Sequence, residues 1–291
     1  MNRCFLFVPG NNPAMLQNAD IFHADAVIFD LEDAVSVSEK DAARQLLKHF
    51  FETLTKQPYD IYVRINALTS SLGAEDLSSI LSDCIKGIVL PKAHTEDIKA
   101  LTKLLETFEA AKRMKNKTRI IPIIETAKSV LEIEAMAQLP RISGMLLGAE
   151  DLTSDMEIER TKVGIEIEYP RAKMAYACKA FGLDAIDTPF TDVDDEAGLK
   201  ADTIHAQKLG MNAKTAIHPN QVETINQIFS PTEAQIRWAR RIVIADTEAQ
   251  LKHLGVFSLD GKMIDKPVVD RAKKLLEKAK HYHMLGEISD E

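Results

Sequence analysis

Cysteine is scarce in this chain: Cys4, Cys84 and Cys178 are the only three in 291 residues. They are odd in number and far apart, so they supply neither a disulfide framework nor a zinc-ligand spacing. All three read as small buried core residues, and a reducing cytoplasm is the compartment that suits them. Long apolar runs are missing too. A membrane-spanning helix needs about 20 apolar residues, and no stretch of this chain approaches that length. The first residues enter a strand-like pattern at Cys4 after a single Arg, without the longer apolar region of a secretion signal. Basic residues are outnumbered 36 to 44, for a net charge of −8, and no basic stretch offers a nucleic-acid footprint. A Walker A loop, a GxGxxG fingerprint and a Ser-centred nucleophile elbow are all absent.

What is present is an ordinary globular composition, 45% hydrophobic and 27% charged, with length enough for a large core. Short apolar runs recur at 4–8, 26–30, 61–65, 87–90, 119–125, 144–147, 185–188 and 213–217. Between them lie stretches of helical periodicity, clearest at 95–114, 127–139, 170–181 and 196–209, and Gly182 and Gly210 fall where helices end in C-cap glycines. Strand and helix alternating eight times predict an α/β fold, a (β/α)8 barrel, over residues 1–229. A doubly wound open sheet is the alternative, but it has no need of eight units. A break at Ser230-Pro231 opens a different pattern: a helix over 233–251, a hairpin over 256–264 around Asp260-Gly261, and a last helix from Lys266-Pro267 to about 282. Residues 230–291 are thus expected to form a helix–hairpin–helix appendage that packs on its own barrel or on a neighbour's.

Barrel chemistry sits at strand C-termini and the loops that follow. Two apolar runs end abruptly in acid there: Ile120-Ile-Pro-Ile-Ile-Glu-Thr-Ala127 delivers Glu125, and Gly144-Met-Leu-Leu-Gly-Ala-Glu-Asp151 delivers Asp151. Both are hard oxygen ligands suited to Mg2+. The other tips contribute Pro9, Gly10 and Asn11; Asp30, Glu32 and Asp33; Arg64 and Asn66; Lys92; Asp187 and Thr188; and His218. So many carboxylates repel one another unless cations offset them. One divalent metal, with Arg64 and Lys92 nearby, resolves the conflict. Such a site suits a 2-oxo or 2-hydroxy acid that chelates the metal while Arg64 clamps a carboxylate through two parallel hydrogen bonds. Asp33 and Asp155 could equally be helix caps or solvated, Lys92 a charged structural residue, and His218 a turn residue. His281 and His283 read as solvated.

Arg3-Cys-Phe-Leu-Phe-Val-Pro-Gly10, Asp30-Leu-Glu-Asp-Ala-Val35, Arg64-Ile-Asn66, Leu90-Pro-Lys92, Ile124-Glu-Thr-Ala127 and Gly148-Ala-Glu-Asp151 resemble the signatures of the citrate lyase β-subunit family. That family lies within a wider group of Mg2+-dependent lyases that includes malyl-CoA and citramalyl-CoA lyases. Single motifs such as Leu-Pro-Lys are weak; their order is the specific signal. The resemblance extends to Leu259-Asp-Gly-Lys-Met-Ile-Asp-Lys-Pro267, and Thr153 to Thr161 with Ala185-Ile-Asp-Thr188 lean towards the citrate lyase β-subunit itself. It implies cleavage of a citryl thioester, carried on CoA or an acyl carrier protein, to oxaloacetate and an acetyl thioester. It implies Mg2+ on Glu125 and Asp151, with Glu32 and Asp33 organising metal-bound waters. Arg64 is the implied catalytic and substrate-binding cation, with Pro9, Gly10 and Asn11 near the substrate. It implies a homotrimer or hexamer, partner α and acyl-carrier subunits, and an Asp265 supplied to a neighbour's site as proton donor. Asp265 also reads as the N-cap of the helix after it. A stand-alone malyl-CoA or citramalyl-CoA lyase, or a non-catalytic acyl-thioester-binding protein, are the alternatives.

Overall fold

The eight expected strands all form, and they close on themselves. In the computed structural model, which describes residues 1–251 and 255–286, they are β1 Cys4–Pro9, β2 Ala26–Asp30, β3 Asp60–Arg64, β4 Ile85–Leu90, β5 Arg119–Ile124, β6 Gly144–Leu147, β7 Asp184–Asp187 and β8 Ala213–Ala216. Every neighbour pair is parallel, and β8 returns to pair with β1. The helices that carry the chain from strand to strand are α1 Pro13–Gln17, α2 Lys40–Thr53, α3 Ser71–Ile80, α4 Thr95–Lys112, α5 Ala127–Ala137, α6 Ala149–Asp155, α7 Glu168–Phe181, α8 Glu196–Leu209 and α9 Val222–Phe229. The short α1 and α6 span too few residues for a periodic signal, whereas α2 carries one that the sequence pattern also offered, its buried face recurring at Lys40, Ala43, Arg44, Leu47 and Phe51. Gly182 and Gly210 do close α7 and α8 in the left-handed region, at φ 69° and 103°.

Strand residues alternate faces, and that parity builds the site. The barrel interior is filled by Phe5, Ala26, Ile28, Tyr62, Val89, Ile121, Ile123, Leu146, Ile186 and Ala213, with Phe7 against them. Each large apolar side chain buried there contributes about 1.5–3 kcal/mol. Stepping two residues further along six of these strands gives Pro9, Asp30, Arg64, Glu125, Gly148 and Thr188. The inward row therefore changes from apolar to functional at the C-terminal rim.

The outward parity of β7 and β8 carries a different feature. Asp187 and Lys214 face the helix layer, where Arg171 of α7 and Asp202 of α8 complete a buried network. Arg171 Nε and Nη2 donate to Asp187 at 2.8 and 3.0 Å, and Nη2 also reaches Asp202 at 2.7 Å. Lys214 Nζ donates to Asp187, Asp202 and the Thr188 carbonyl at 2.6, 2.7 and 2.7 Å. Two positive and two negative groups balance, as burial of charge demands.

Contacts divide the chain into two compact units, residues 2–226 and residues 227–291 with Met1. The division runs through α9, whereas the sequence pattern put the change after Phe229. In the second unit α10 Glu233–Leu251 packs on α11 Lys266–His281, and β9 Phe257–Leu259 pairs antiparallel with β10 Lys262–Ile264. Asp260 and Gly261 turn that hairpin with φ of 52° and 73°, the two left-handed positions of a type I′ turn. Ala239, Ile242, Ile264, Val269 and Ala272 form its core. The expected appendage also contains 252–254 and 287–291, which lie outside the described residues. Among the described residues no helix is long and apolar enough to cross a membrane.

Candidate active site

At the C-terminal rim of the barrel lies a cavity of about 430 Å³, lined by Phe7, Pro9, Asp30, Asp33, Arg64, Glu125, Gly148, Asp151, Thr188 and Ile217 among others. That is the size of a small-molecule site. Its floor is the apolar core and its rim is charged, so a ligand with an apolar body and carboxylate ends fits its chemistry.

Glu125 follows β5 and is only 3% exposed. Its Oε1 accepts the backbone N–H of Lys92. Lys92 adopts the left-handed region, φ 47°, and this turn aims its amide at the carboxylate while its side chain stays exposed. Lys92 thus enters through its backbone, a role its side-chain chemistry did not announce. Burial pushes the Glu125 carboxyl up to about 8; the Lys92 amide pulls it down, and the charges of Asp151 and Glu32 push it up again. Gly148 makes room for it. A Cβ at position 148 would stand 2.7 Å from both Cβ and Oε2 of Glu125, so a side chain there would displace the carboxylate.

Asp151 lies in the first turn of α6, not at the strand tip that the apolar run 144–147 suggested. Gly148 ends the strand and the helix starts at once, which turns Asp151 to the exposed side of the cavity. Asp155, four residues on, accepts the Ala127 amide at 2.8 Å; it satisfies the start of α5, the cap-like alternative. His218 accepts from the Asn220 amide at 3.3 Å, a turn contact.

Arg64 ends β3 and is the in-register partner of Asp30 on β2. Its Nε and Nη2 donate to the two Asp30 oxygens at 2.7 and 2.6 Å. Its Nη1 faces Glu32 at 3.0 Å and Asp33 at 3.4 Å, and the guanidinium lies 5.1 Å from the Phe7 ring centroid. Burial disfavours its charge, but the Asp30 bonds and the surrounding acids outweigh that and raise its pKa, so it stays a cation. Burial pushes the Glu32 carboxyl up to about 7, Arg64 pulls it down, and Asp33 and Asp30 push it up. Glu32 and Asp33 therefore face Arg64. Their loop is pinned by Lys40 Nζ, which donates to the Leu31 and Glu32 carbonyls at 2.8 and 2.9 Å, and by Asn66 Nδ2 on the Leu31 carbonyl at 2.9 Å.

Pro9 lines the cavity. Gly10 donates its amide to the Asp30 carbonyl at 2.8 Å, and a Cβ there would meet that same oxygen at 2.7 Å. Asn11 points its amide to Glu39 at 2.8 Å. Of this trio, Pro9 alone is among the cavity-lining residues. Asp265 belongs to the second unit, where it caps α11 by accepting the Val268 amide at 3.2 Å. Asp30 and Thr188 are the residues the sequence reading undervalued. Both stand on the inward parity and both are buried, at 1% exposure each.

Among the described residues no group of three or more His, Cys, Asp or Glu side chains has metal-holding geometry. Mg2+ does not require one, since it keeps several waters and is commonly held by one or two carboxylates. The donors fit it: Glu125 and Asp151 line the same cavity, Glu125 has its Oε2 beside the side-chain-free Gly148, and both are hard oxygen ligands.

Comparison with known proteins gives a consistent picture. A model described as HpcH/HpaI aldolase/citrate lyase matches residues 3–219, and one described as a C–C bond lyase of the TIM-barrel fold matches residues 168–284. The chain is 38% identical over 289 residues to the citrate lyase subunit beta of Leuconostoc mesenteroides subsp. cremoris, covering 98% of this chain and 95% of that one. The crystal structure of protein CitE from Mycobacterium tuberculosis, in complex with magnesium, acetoacetate and coenzyme A, superposes with a TM-score of 0.78 at 28% identity, covering 95% of this chain and 97% of that one. A citrate lyase beta subunit from M. tuberculosis, complexed with oxaloacetate and magnesium, gives 0.68 at 28% identity, covering 79% and 97%.

Proposed function

The chain belongs to the HpcH/HpaI aldolase/citrate lyase family, and on that premise we propose that it cleaves citryl thioester to oxaloacetate and an acetyl thioester. One observation carries this reading. A single cavity brings a buried, charge-frustrated Glu125 together with Asp151 and with an arginine already shaped to grip carboxylates. Glu125 and Asp151 are the residues that would hold Mg2+, and the ion would supply Lewis-acid polarisation of the substrate oxygens. Arg64 binds a carboxylate and stabilises the oxygen charge that develops as the carbinol becomes a carbonyl. Glu32 and Asp33 face Arg64; displaced from it by the substrate carboxylate, they would be placed to order water on the metal side of the cavity. The apolar floor excludes water below the breaking bond. The carbinol gives its proton to water at the open mouth of the cavity, the carbon–oxygen double bond forms, and the carbon–carbon pair shifts onto the thioester α-carbon. Asp265, from a second copy in a homotrimer or hexamer, then protonates that carbon. The acyl carrier is CoA or an acyl carrier protein, the latter placing the chain beside α and acyl-carrier subunits in a cytoplasmic complex.

The test is a thioester panel on purified protein with Mg2+. Citryl-CoA and citryl-acyl carrier protein are expected to give oxaloacetate, and chelator is expected to stop it. Glu125→Gln is expected to lose at least about a hundredfold in activity while keeping the fold, since even outer partners of metal sites act on that scale. Turnover of malyl-CoA or citramalyl-CoA alone would move the chain to the stand-alone lyases. Thioester binding without cleavage would make it a binding protein.

A further inference from the structure

Arg64 is surrounded by acids, but they do not hold it equally. Asp30 takes the Nε–Nη2 edge through both its oxygens, at 2.7 and 2.6 Å. The same two oxygens accept the backbone amides of Glu32 and Ala34, at 2.9 and 3.0 Å. Asp30 is 1% exposed and sits in register with Arg64 on the adjacent strand. Four hydrogen bonds and a rigid strand leave this carboxylate no other position. Asp33, by contrast, has a side chain 70% exposed and only a 3.4 Å contact, and Glu32 meets Nη1 alone, at 3.0 Å.

A guanidinium grips a carboxylate through two parallel N–H groups on one edge. With the Nε–Nη2 edge committed to Asp30, the terminal Nη1–Nη2 edge is the one left for a ligand. Glu32 and Asp33 touch only that end, each through a single contact to Nη1. We propose that Asp30 is a positioning residue for the reaction: it locks one edge of Arg64 so that the terminal edge is presented to the substrate carboxylate. This rests on the reading that Arg64 binds that carboxylate. Asp30 itself touches no reacting atom. It also makes Arg64 replaceable by nothing shorter or less planar, because only the fork spans Asp30 and a ligand together.

The experiment is calorimetric titration of the full chain with oxaloacetate in saturating Mg2+, and with Mg2+ alone, for wild type, Asp30→Asn, Arg64→Lys and the double variant. Asp30→Asn is expected to weaken oxaloacetate binding by roughly tenfold to a hundredfold, the worth of one charge-assisted contact. Its Mg2+ binding is expected to match wild type, a split that general damage to the site would not give. In the Arg64→Lys background the Asp30→Asn change is expected to cost little more, because the edge it serves is gone. Unchanged oxaloacetate affinity in Arg64→Lys would overturn the functional reading and this proposal together. A loss in Arg64→Lys without one in Asp30→Asn would overturn the positioning role alone. So would equal losses from Asp30→Asn in both backgrounds, which would assign Asp30 to its loop amides. Should Asp30→Asn fail to fold, wild-type protein still decides. The Arg64 Nε–H resonance, identified by its loss in Arg64→Lys, is expected to stay protected from solvent exchange when oxaloacetate and Mg2+ are added. Loss of that protection would show Asp30 releasing the edge, contrary to the proposal.

Discussion

Lys92 shows how far a residue's chemistry and its use can differ. Its ammonium is exposed, and its contact with Glu125 is made by the backbone amide. A left-handed φ of 47° at a non-glycine residue costs about 1–2 kcal/mol, and here it aims that amide at the carboxylate. Lys92→Ala keeps the amide, so Mg2+ affinity is expected to stay within about twofold of wild type, the usual range for an exposed side chain. Calorimetry with Mg2+ measures this directly; a large loss would mean the ammonium itself serves the site. The same scale shows what the sequence could and could not tell. Glu125 and Arg64 were legible because each ends an apolar run, on the inward parity that the core residues define. The Asp30–Arg64 pairing was not, because it depends on the register of two strands 34 residues apart in sequence. Nor was the turning of Asn11 to Glu39, which depends on where the loop before α2 comes to lie.

At the scale of elements, strands announced themselves better than helices. The parallel strands are buried on both faces and read as apolar runs, while the helices around them meet solvent on one side and carry mixed sequences. The segment joining α6 to α7 shows no periodicity at all, yet it is tied down. Glu166 accepts the Thr161 amide at 2.9 Å, the Thr161 hydroxyl at 2.8 Å and Arg160 at 2.6 Å. Burial pushes its carboxyl up, but these bonds outweigh that and bring it down to about 2. An unfolded chain therefore takes the proton at higher pH than the folded one. The stabilisation is full above the ordinary carboxyl range and is lost as pH falls from about 4.5 towards about 2. Glu166→Gln is expected to cost about 1–3 kcal/mol near neutral pH. Urea unfolding at a series of pH values is expected to show that gap narrowing below about pH 5, and a pH-independent gap would point to packing instead. The β7–β8 wall offers a second check. Lys214→Met leaves Asp187 and Asp202 with Arg171 as their sole cation in that network, which is expected to cost about 3–5 kcal/mol. Because Lys214 also holds the Thr188 carbonyl, the same variant is expected to loosen the cavity wall.

For the whole molecule, eight strand–helix repeats implied closure, since an alternation of that number brings the last strand back beside the first; the β1–β8 pairing is that closure. The second unit was legible as helix, hairpin and helix from Asp260-Gly261 and Lys266-Pro267, but its purpose is not written in its own packing. There Asp265 caps α11 through one oxygen, Oδ1. A cap made through one carboxylate oxygen is compatible with the proposed acid role. An acid is needed because the carboxylates beside a bound cation stay ionised, and the carbon released in the cleavage must gain a proton. If Asp265 serves a neighbouring copy, each active site combines Glu125 of one chain with Asp265 of another. Asp265→Ala and Glu125→Gln are each expected to be inactive. Mixing them with subunit exchange is expected to restore activity, because some sites then receive an intact Glu125 and an intact Asp265. In a trimer of equal parts, random mixing makes the recovered sites a minority, about one in four by counting the two independent choices at each site under closed ring symmetry. Activity of the mixture, with exchange verified by mass spectrometry of tagged chains, measures it. Exchange without recovery would return Asp265 to the cap alone and leave the proton donor to be sought inside the barrel.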